Sequence, residues 1–409
     1  MNNNILNHRE LYRLPWTLPD NAISWLEPTS MCNLACDGCY RDNIKDSHLS
    51  VDEVKHHLDV FQKLRNSDCI SIAGGDPLLH PHITEIIADI KKRGLKPIIN
   101  TNGKALTMEL LKELKKAGVY GFTFHIDSKQ GRNAKWKGKN EIELNELRLE
   151  YASMLAEAGG ISCSFNSTVY EDTLQYVPEM INWAHKHIDI VHTMVFITFR
   201  HVIPNMPFDW YAGAEKVNWD EIMYHSDKKR DIEILSTDVL AKVRERFPEF
   251  TPAAYLNGTV KPDSFKWLLT ERIGTKDKIY GYLGPRFLEL MMIVHHFFKG
   301  TYLSYASPSL TKKGRSTLLL LWPFDKGLRK ALLNFLKNPF RIFKRTHLQT
   351  IMFIQPVDFT EKGEQNMCDG CPDITVYKDE LVWSCRMEEQ NKYNTWLRTV
   401  PKKKLIQSG

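Results

Sequence analysis

From Ala22 to Ile197 the apolar positions alternate between two periods. Short runs dense in apolar residues occur at Ala22 to Leu26, Cys69 to Ala73, Lys96 to Asn100, Gly121 to Ile126, Ile161 to Asn166 and Ile190 to Ile197. Runs of that length and density read as strands buried on both faces. Between them, apolar residues recur at helical spacing over 51–64, 81–93, 107–117, 141–158 and 173–187. Ser50 stands three residues before Glu53, which predicts a capping box, and Gly94 and Gly118 stand where two helices should stop. Strand and helix in strict alternation predict right-handed crossovers and a parallel sheet. Six such units are too few for a closed eightfold barrel. The predicted fold is therefore α/β, a partial (β/α)6 TIM-like barrel over 21–203, preceded by an N-terminal extension over 1–20.

Each strand of that barrel hands over to a polar segment, where parallel α/β folds carry their chemistry. After the first strand come Cys32, Cys36 and Cys39, with Tyr40 following. After the second stand Gly74, Gly75, Asp76 and Pro77, and after the third Asn100 to Gly103. His125 to Ser128, Asn166 to Thr168, and Arg200 with His201 follow the last three. Asn102-Gly103 reads equally well as a turn, and Ser128 and Thr168 as helix caps. Three thiols from one short loop can hold three corners of an iron–sulfur cubane and leave its fourth iron open to a ligand. On spacing alone, half of a zinc site is an equal alternative.

Past Pro204 the alternation is lost. Residues 204–355 read as a mainly helical insertion, with one helix over 237–247 and a buried helix over 282–298. His295 and His296 on that helix point different ways, which argues against a shared metal. Residues 312–345 combine many Lys and Arg with Asp325 as their one acid, and Leu328, Ala331, Leu332, Phe335 and Leu336 share a helical face, followed by Phe340, Ile342 and Phe343. A basic amphipathic helix suits an anionic membrane surface; packing on the barrel with a solvated basic face is the alternative. Residues 356–409 form a small C-terminal segment in which Cys368, Cys371 and Cys385 flank a hairpin, Thr375 to Tyr377 and Leu381 to Trp383. These cysteines suit a second iron–sulfur cluster or a zinc ion, with Asp369, His347 and Glu388 as candidate further ligands. Cys69 and Cys163 lie within apolar strands and read as core.

Composition adds exclusions. Across 409 residues, eight clustered cysteines do not make a disulfide scaffold, and a net charge of +6 is no nucleic-acid footprint. The first sixteen residues lack the apolar core of a secretory signal, so a cytoplasmic location, or the membrane surface reached from it, is expected.

The two strand-end motifs together resemble the radical S-adenosylmethionine (SAM) superfamily. Cys32, Cys36, Cys39 and Tyr40 match its cysteine signature. Gly74-Gly75-Asp76-Pro77 resembles its Gly-Gly-Glu-Pro motif, with Asp for Glu. The resemblance covers roughly residues 20–203. It implies a [4Fe-4S] cluster on the three cysteines, SAM on its open iron, reductive cleavage to a 5′-deoxyadenosyl radical, and a one-electron donor such as flavodoxin or ferredoxin. It also implies that Gly74 to Pro77 hold the methionine amino group, that Tyr40 lies against the adenine, and that Asn166 faces the ribose. Asn102 and Asp127 join the cofactor-binding set by position. Cys368, Cys371 and Cys385 resemble the auxiliary-cluster segments of SPASM and twitch enzymes. Their spacing matches the molybdenum-cofactor cyclases, but the chain ends Gln407-Ser408-Gly409 without that family's Gly-Gly, so a purine substrate is not carried over. The expected substrate is a lipid or isoprenoid. A peptide, as in SPASM-type maturases, and a non-catalytic iron–sulfur or zinc protein are the alternatives. No catalytic side chain is assigned.

Overall fold

The computed structural model describes residues 6–199, 202, 204, 206–223, 225, 233–337, 344–360 and 362–402. Arg200, His201, Phe340, Ile342 and Phe343 lie outside the described residues. The six expected strands are present as β1 (Ile23–Thr29), β2 (Cys69–Gly74), β3 (Lys96–Thr101), β4 (Gly121–His125), β5 (Ser162–Val169) and β6 (Thr193–Thr198). They pair in sequence order, every pair parallel. Between them run α1 (Val51–Leu64), α2 (Ile83–Lys92), α3 (Met108–Ala117), α4 (Asn145–Ala158) and α5 (Val177–Lys186). The expected capping box forms: Ser50 accepts from the Glu53 backbone while Glu53 accepts from Ser50 N at 2.7 Å. Gly118 ends α3 at φ 102°.

The sheet does not stop at β6. The stretch read as mainly helical contributes α6 (Ser236–Arg246) but also β7 (Ala254–Leu256), β8 (Trp267–Gly274), β9 (Ile279–Leu283) and, at its end, β10 (His347–Ile354). Strand β10 lies parallel beside β6, β8 antiparallel beside β10, and β7 antiparallel beside β8. Tyr12–Arg13 pairs with β7 as the outermost strand, completing an 11-stranded sheet. Polar residues hid these strands: Arg272 and Gln349 stand opposite one another in β8 and β10 and bond at 2.9 Å, both buried.

The two edges of this sheet, Tyr12–Arg13 and β1, are joined by a connection of at most about 35 Å. The C-terminal cysteine knuckle fills the space beside it. Arg13 bonds Asp369 at 2.7 Å, Asn21 donates to Gly370 O at 3.0 Å, and Arg65 donates to Cys371 O at 2.8 Å. The hairpin follows as β11 (Ile374–Tyr377) and β12 (Glu380–Trp383), packed against β1.

Inside the curl, side chains alternate as the pleat demands. Ile70, Ile72, Phe122, Phe124, Cys163 and Phe165 join the core beneath the helices. The alternate residues Ser71, Thr123 and Ser164 face the interior and are small and polar. Tyr305 enters from the amino ends of the strands. Its hydroxyl lies 3.3 Å from Thr123 Oγ1, and Ser304 Oγ anchors the segment to Asp68 at 2.6 Å.

Residues 285–336 are mainly helical: α7 (Pro285–Lys299) lies by Tyr12–Arg13, α8 (Gly314–Leu321) by β10 and α9 (Lys326–Leu336) on β9. The expectation of a buried helix over 282–298 needs correction. Its first residues complete β9, and the far end of α7 is exposed. His295 bonds Thr301 O at 2.6 Å and His296 bonds Asp20 at 2.9 Å, so each has a separate partner.

Glu271 on β8 is buried, with Thr350 Oγ1 at 2.6 Å. Burial pushes its carboxyl up to about 7, beyond what Thr350 and Arg272 offset. Between the unfolded value near 4.5 and about 7, the folded state holds more protons than the unfolded one, so stability falls as pH rises through that window. Glu271→Gln should flatten the fall, with a gain on the order of 1–3 kcal/mol near pH 8 and little change near pH 5, read by urea unfolding at the two pH values.

Candidate active site at the carboxyl ends of the strands

The cysteine loop leaves β1 and is held by its own backbone. Asn43 clamps Cys32 from both sides, accepting from its N–H at 2.8 Å and donating to its carbonyl at 3.0 Å. Asp37 N donates to Lys129 O at 3.0 Å, and Tyr170 donates to Asp37 O at 3.2 Å. Gly38, between the second and third cysteines, has φ 66°, and a Cβ there would sit 2.1 Å from the Phe199 ring. Only glycine meets both demands.

Burial pushes all three thiols up; Cys36 is raised further by Cys39 and Cys32, and Cys39 by Cys32. Thiols so placed become thiolates only with a compensating positive centre, which is what an iron–sulfur cluster provides. Asn102 Nδ2 lies 3.7 Å from Cys32 Sγ, an N–H donor of the kind that tunes cluster sulfurs. The donor set therefore fits a cluster. Among the described residues, no three His, Cys, Asp or Glu side chains surround a single metal-ion position.

The Gly74–Pro77 segment lies against this loop. Gly75 N donates to Thr29 O and Asp76 N to Met31 O, each at 2.8 Å. A Cβ on Gly75 would stand 2.2 Å from Met31 O, so the glycine is needed for backbone to meet backbone. Asp76 is 1% exposed and accepts from Thr101 Oγ1 at 2.8 Å, Asn102 N at 3.0 Å and Leu78 N at 3.0 Å. Burial pushes its carboxyl up despite those donors. Pro77 opens a short 3-10 turn behind it. Thus the motif ties β1, β2 and β3 together at their carboxyl ends, and Asn102 is presented to Cys32 as a result.

Asp127 follows β4. Its carboxylate lies 3.0 Å from His125 Nε2, which also bonds Thr168 Oγ1 at 3.0 Å. Burial raises the Asp127 carboxyl, but His125 and the surrounding donors outweigh it and the net shift is downward. Its charge in turn raises the Cys36 thiol. Asn166 Oδ1 is buried without a hydrogen-bond partner. Asp127, Ser128, Arg132 and Trp136 line a cavity of about 360 Å³ on this side. A separate cavity of about 590 Å³ lies at the opposite, amino ends of the strands, between Asp189, His192, Lys312 and His347. It is remote from the cysteine loop and plays no part in this site.

Tyr40 lies beside the third cysteine and its hydroxyl donates to Glu27 Oε1 at 3.2 Å. Glu27 also accepts from Trp25 Nε1 at 3.0 Å and Ser384 Oγ at 3.0 Å. Arg41 stands 3.4 Å from Glu27 and 2.7 Å from Glu388. This buried group links the first cysteine loop to the residues on either side of Cys385. Sequence reasoning missed Glu27 and Arg41; a carboxylate inside the apolar run Trp25-Leu26-Glu27 was the available signal.

The second set of cysteines is partly assembled. The Cys368 and Cys371 thiols are within hydrogen-bonding reach, which pulls that of Cys368 down and pushes that of Cys371 up. Cys385 is close enough to raise Cys371 further. Of the candidate further ligands, Asp369 pairs with Arg13, Glu388 with Arg41, and His347 lines the remote cavity.

A parallel half-barrel with a three-cysteine loop at its carboxyl ends defines the class. Residues 26–184 match the family model described as the Radical SAM superfamily. A tungsten-containing aldehyde ferredoxin oxidoreductase cofactor-modifying protein of Pyrococcus furiosus is 37% identical over 106 residues, 25% of this chain and 30% of that one. An AdoMet-dependent heme synthase of Oleidesulfovibrio alaskensis is 27% identical over 183 residues, 42% of this chain and 46% of that one. The Fe-coproporphyrin III synthase of Methanosarcina barkeri is 30% identical over 233 residues, 56% of this chain and 53% of that one. The chain thus spans from about a third to about half the length of these curated relatives.

Two substitutions test the geometry. Gly75→Ala should push the cysteine loop from β2 and cost about 1–3 kcal/mol, with iron retained by the anaerobically reconstituted protein falling in parallel. Unchanged iron and unfolding midpoint would show the contact to be dispensable. Glu27→Ala strands Arg41 beside Glu388 alone and should cost about 3–5 kcal/mol, whereas Glu27→Gln keeps an acceptor for Trp25, Tyr40 and Ser384 and should cost less. Equal losses in urea unfolding would place the whole effect on the charge.

Proposed function

We propose that the chain is a radical SAM enzyme that abstracts hydrogen from an anionic amphiphile such as a lipid or isoprenoid. The observation that carries the reaction class is the meeting of Cys32, Cys36 and Cys39 with Asn102 and Gly75 at the carboxyl ends of β1 to β3. When bound, a [4Fe-4S] cluster supplies the single electron that splits SAM to methionine and a 5′-deoxyadenosyl radical. Cys32, Cys36 and Cys39 would hold it, and the Asn102 amide would stabilise the Cys32 sulfur. Gly74 to Pro77 would border the methionine end of SAM. Because the Asp76 carboxylate already has three internal donors, a ligand amino group would meet chiefly backbone there. Asn166, with its buried unpartnered oxygen, suits a ribose hydroxyl, and Asp127 lines the same side. Tyr40 would border the adenine while its hydroxyl stays on Glu27.

The second cysteine set would hold an auxiliary cluster that exchanges an electron or binds substrate, with zinc as the alternative. A flavodoxin- or ferredoxin-type donor would reduce the first cluster. The small polar interior, with Ser164 Oγ buried and unpartnered, favours a substrate with a polar head. The tetrapyrrole chemistry in the names of two relatives supports a second reading, an anionic macrocycle as substrate.

The test is anaerobic reconstitution followed by dithionite and SAM. About eight irons per chain and formation of 5′-deoxyadenosine are expected, falling to about four irons in a Cys368/Cys371/Cys385 triple alanine variant that still cleaves SAM. No 5′-deoxyadenosine from fully loaded, reducible protein, with the lipid and porphyrin candidates both supplied, would overturn the reading.

A further inference from the structure

The helices α7, α8 and α9 expose many large apolar side chains. Their inner face is ordinary core: Phe287, Leu288, Leu318, Leu328, Ala331 and Phe335 belong to one buried cluster. Asp325, itself 1% exposed, fastens the layer, accepting from Leu328 N and Gly284 N at 2.9 Å each and so joining the start of α9 to the start of α7. The outer face should then be polar. It is not. Of sixteen exposed large apolar side chains among the described residues, eleven fall between Ile293 and Leu336. Phe297 is 80% exposed, Phe298 75%, Leu320 71%, Leu333 65% and Phe324 57%. Single exposed apolar residues are normal, but such a concentration marks a surface that meets something.

The charges say what. Between Arg286 and Lys337 stand nine Lys or Arg and two acids, and one of those acids is the buried Asp325. The cations alternate with the apolar side chains on the same helices. On α9, Leu333 is flanked at helical spacing by Lys326, Arg329, Lys330 and Lys337, all exposed. Protein interfaces deplete lysine from their apolar centres. A lipid surface uses this mixture, with apolar side chains below the headgroups and lysines snorkelling to phosphate. Among the described residues, no helix is long and apolar enough to cross a membrane.

We infer that the α7–α9 layer docks on an anionic lipid bilayer, lying in its surface. Cation attraction brings the layer in, and Phe297, Phe298, Leu320 and Phe324 enter the interfacial zone. This inference rests on surface chemistry alone and stands or falls separately from the catalytic reading.

The experiment is co-sedimentation of the full chain with phosphatidylglycerol–phosphatidylcholine vesicles and with phosphatidylcholine vesicles, at low and high salt. Strong binding to the anionic vesicles that weakens with salt is expected. The Phe297→Ser/Phe298→Ser/Leu320→Ser variant, folded by its unfolding midpoint, should bind at least about tenfold more weakly. Bromolipid quenching gives an independent readout: exposed Trp322 should be quenched in the wild type, and Trp322→Phe should lose that part of the signal. The inference is overturned by no binding to anionic vesicles, by binding that ignores both salt and the triple variant, or by a dimer that the triple variant dissolves while vesicle binding is absent.

Discussion

The arrangement depends on one buried carboxylate. Glu27, 6% exposed on β1, receives Trp25, Tyr40 and Ser384 on one oxygen and faces Arg41 with the other. A charge cannot remain there without partners, and its partners come from three parts of the chain. Tyr40 and Arg41 close the cysteine loop, while Ser384 and Glu388 bracket Cys385. The cost of burying the carboxylate is offset only when both ends of the protein are folded onto β1. The two cysteine sets are therefore joined through the partners of Glu27.

The same logic shapes the sheet. Its two edges do not pair, and an open edge is a liability that proteins cover. Here the C-terminal knuckle covers it through Arg13, Asn21 and Arg65, two of these contacts being side chain to backbone carbonyl. Burial lowers the Arg65 guanidinium to about 10, opposed by the charges of Cys371 and Asp373. Closing the curl with the C-terminal cysteine segment, instead of further barrel units, joins the completeness of the fold to the second cysteine set.

How much of this was legible in the sequence follows from where each partner lies. Strands β1 to β6 and helices α1 to α5 announce themselves because the helix-facing side of the strands and one stripe of each helix are apolar, a local property. Cys32, Cys36 and Cys39 are legible for the same reason. Strands β8 and β10 are not, because Thr270, Glu271 and Arg272 in one and Gln349 and Thr350 in the other look like surface residues. Each finds its partner only across the sheet, as Arg272 does with Gln349. Glu27, Arg41 and Glu388 were missed on the same principle: a buried polar network spread over most of the chain has no period. The second motif was legible as Gly74-Gly75-Asp76-Pro77 after a strand, but its local role was not: what approaches Gly75 in the structure is Met31 O, a backbone group of the cysteine loop.

The distribution of polarity inside and out runs opposite to that of an ordinary barrel. TIM barrels fill their interior with bulky branched residues and keep their outer helices solvated. Here the interior carries Ser71, Thr123 and Ser164 with Tyr305 as a plug, while the outer α7–α9 layer exposes Phe297, Phe298 and Leu320. Small polar side chains bring hydrogen-bonding capacity where an apolar core would have none. Aromatic side chains in water gain free energy only when something covers them. A polar interior and an apolar exterior make opposite demands on what meets each. The chain places them on separate elements, so either could change without disturbing the cysteine loop.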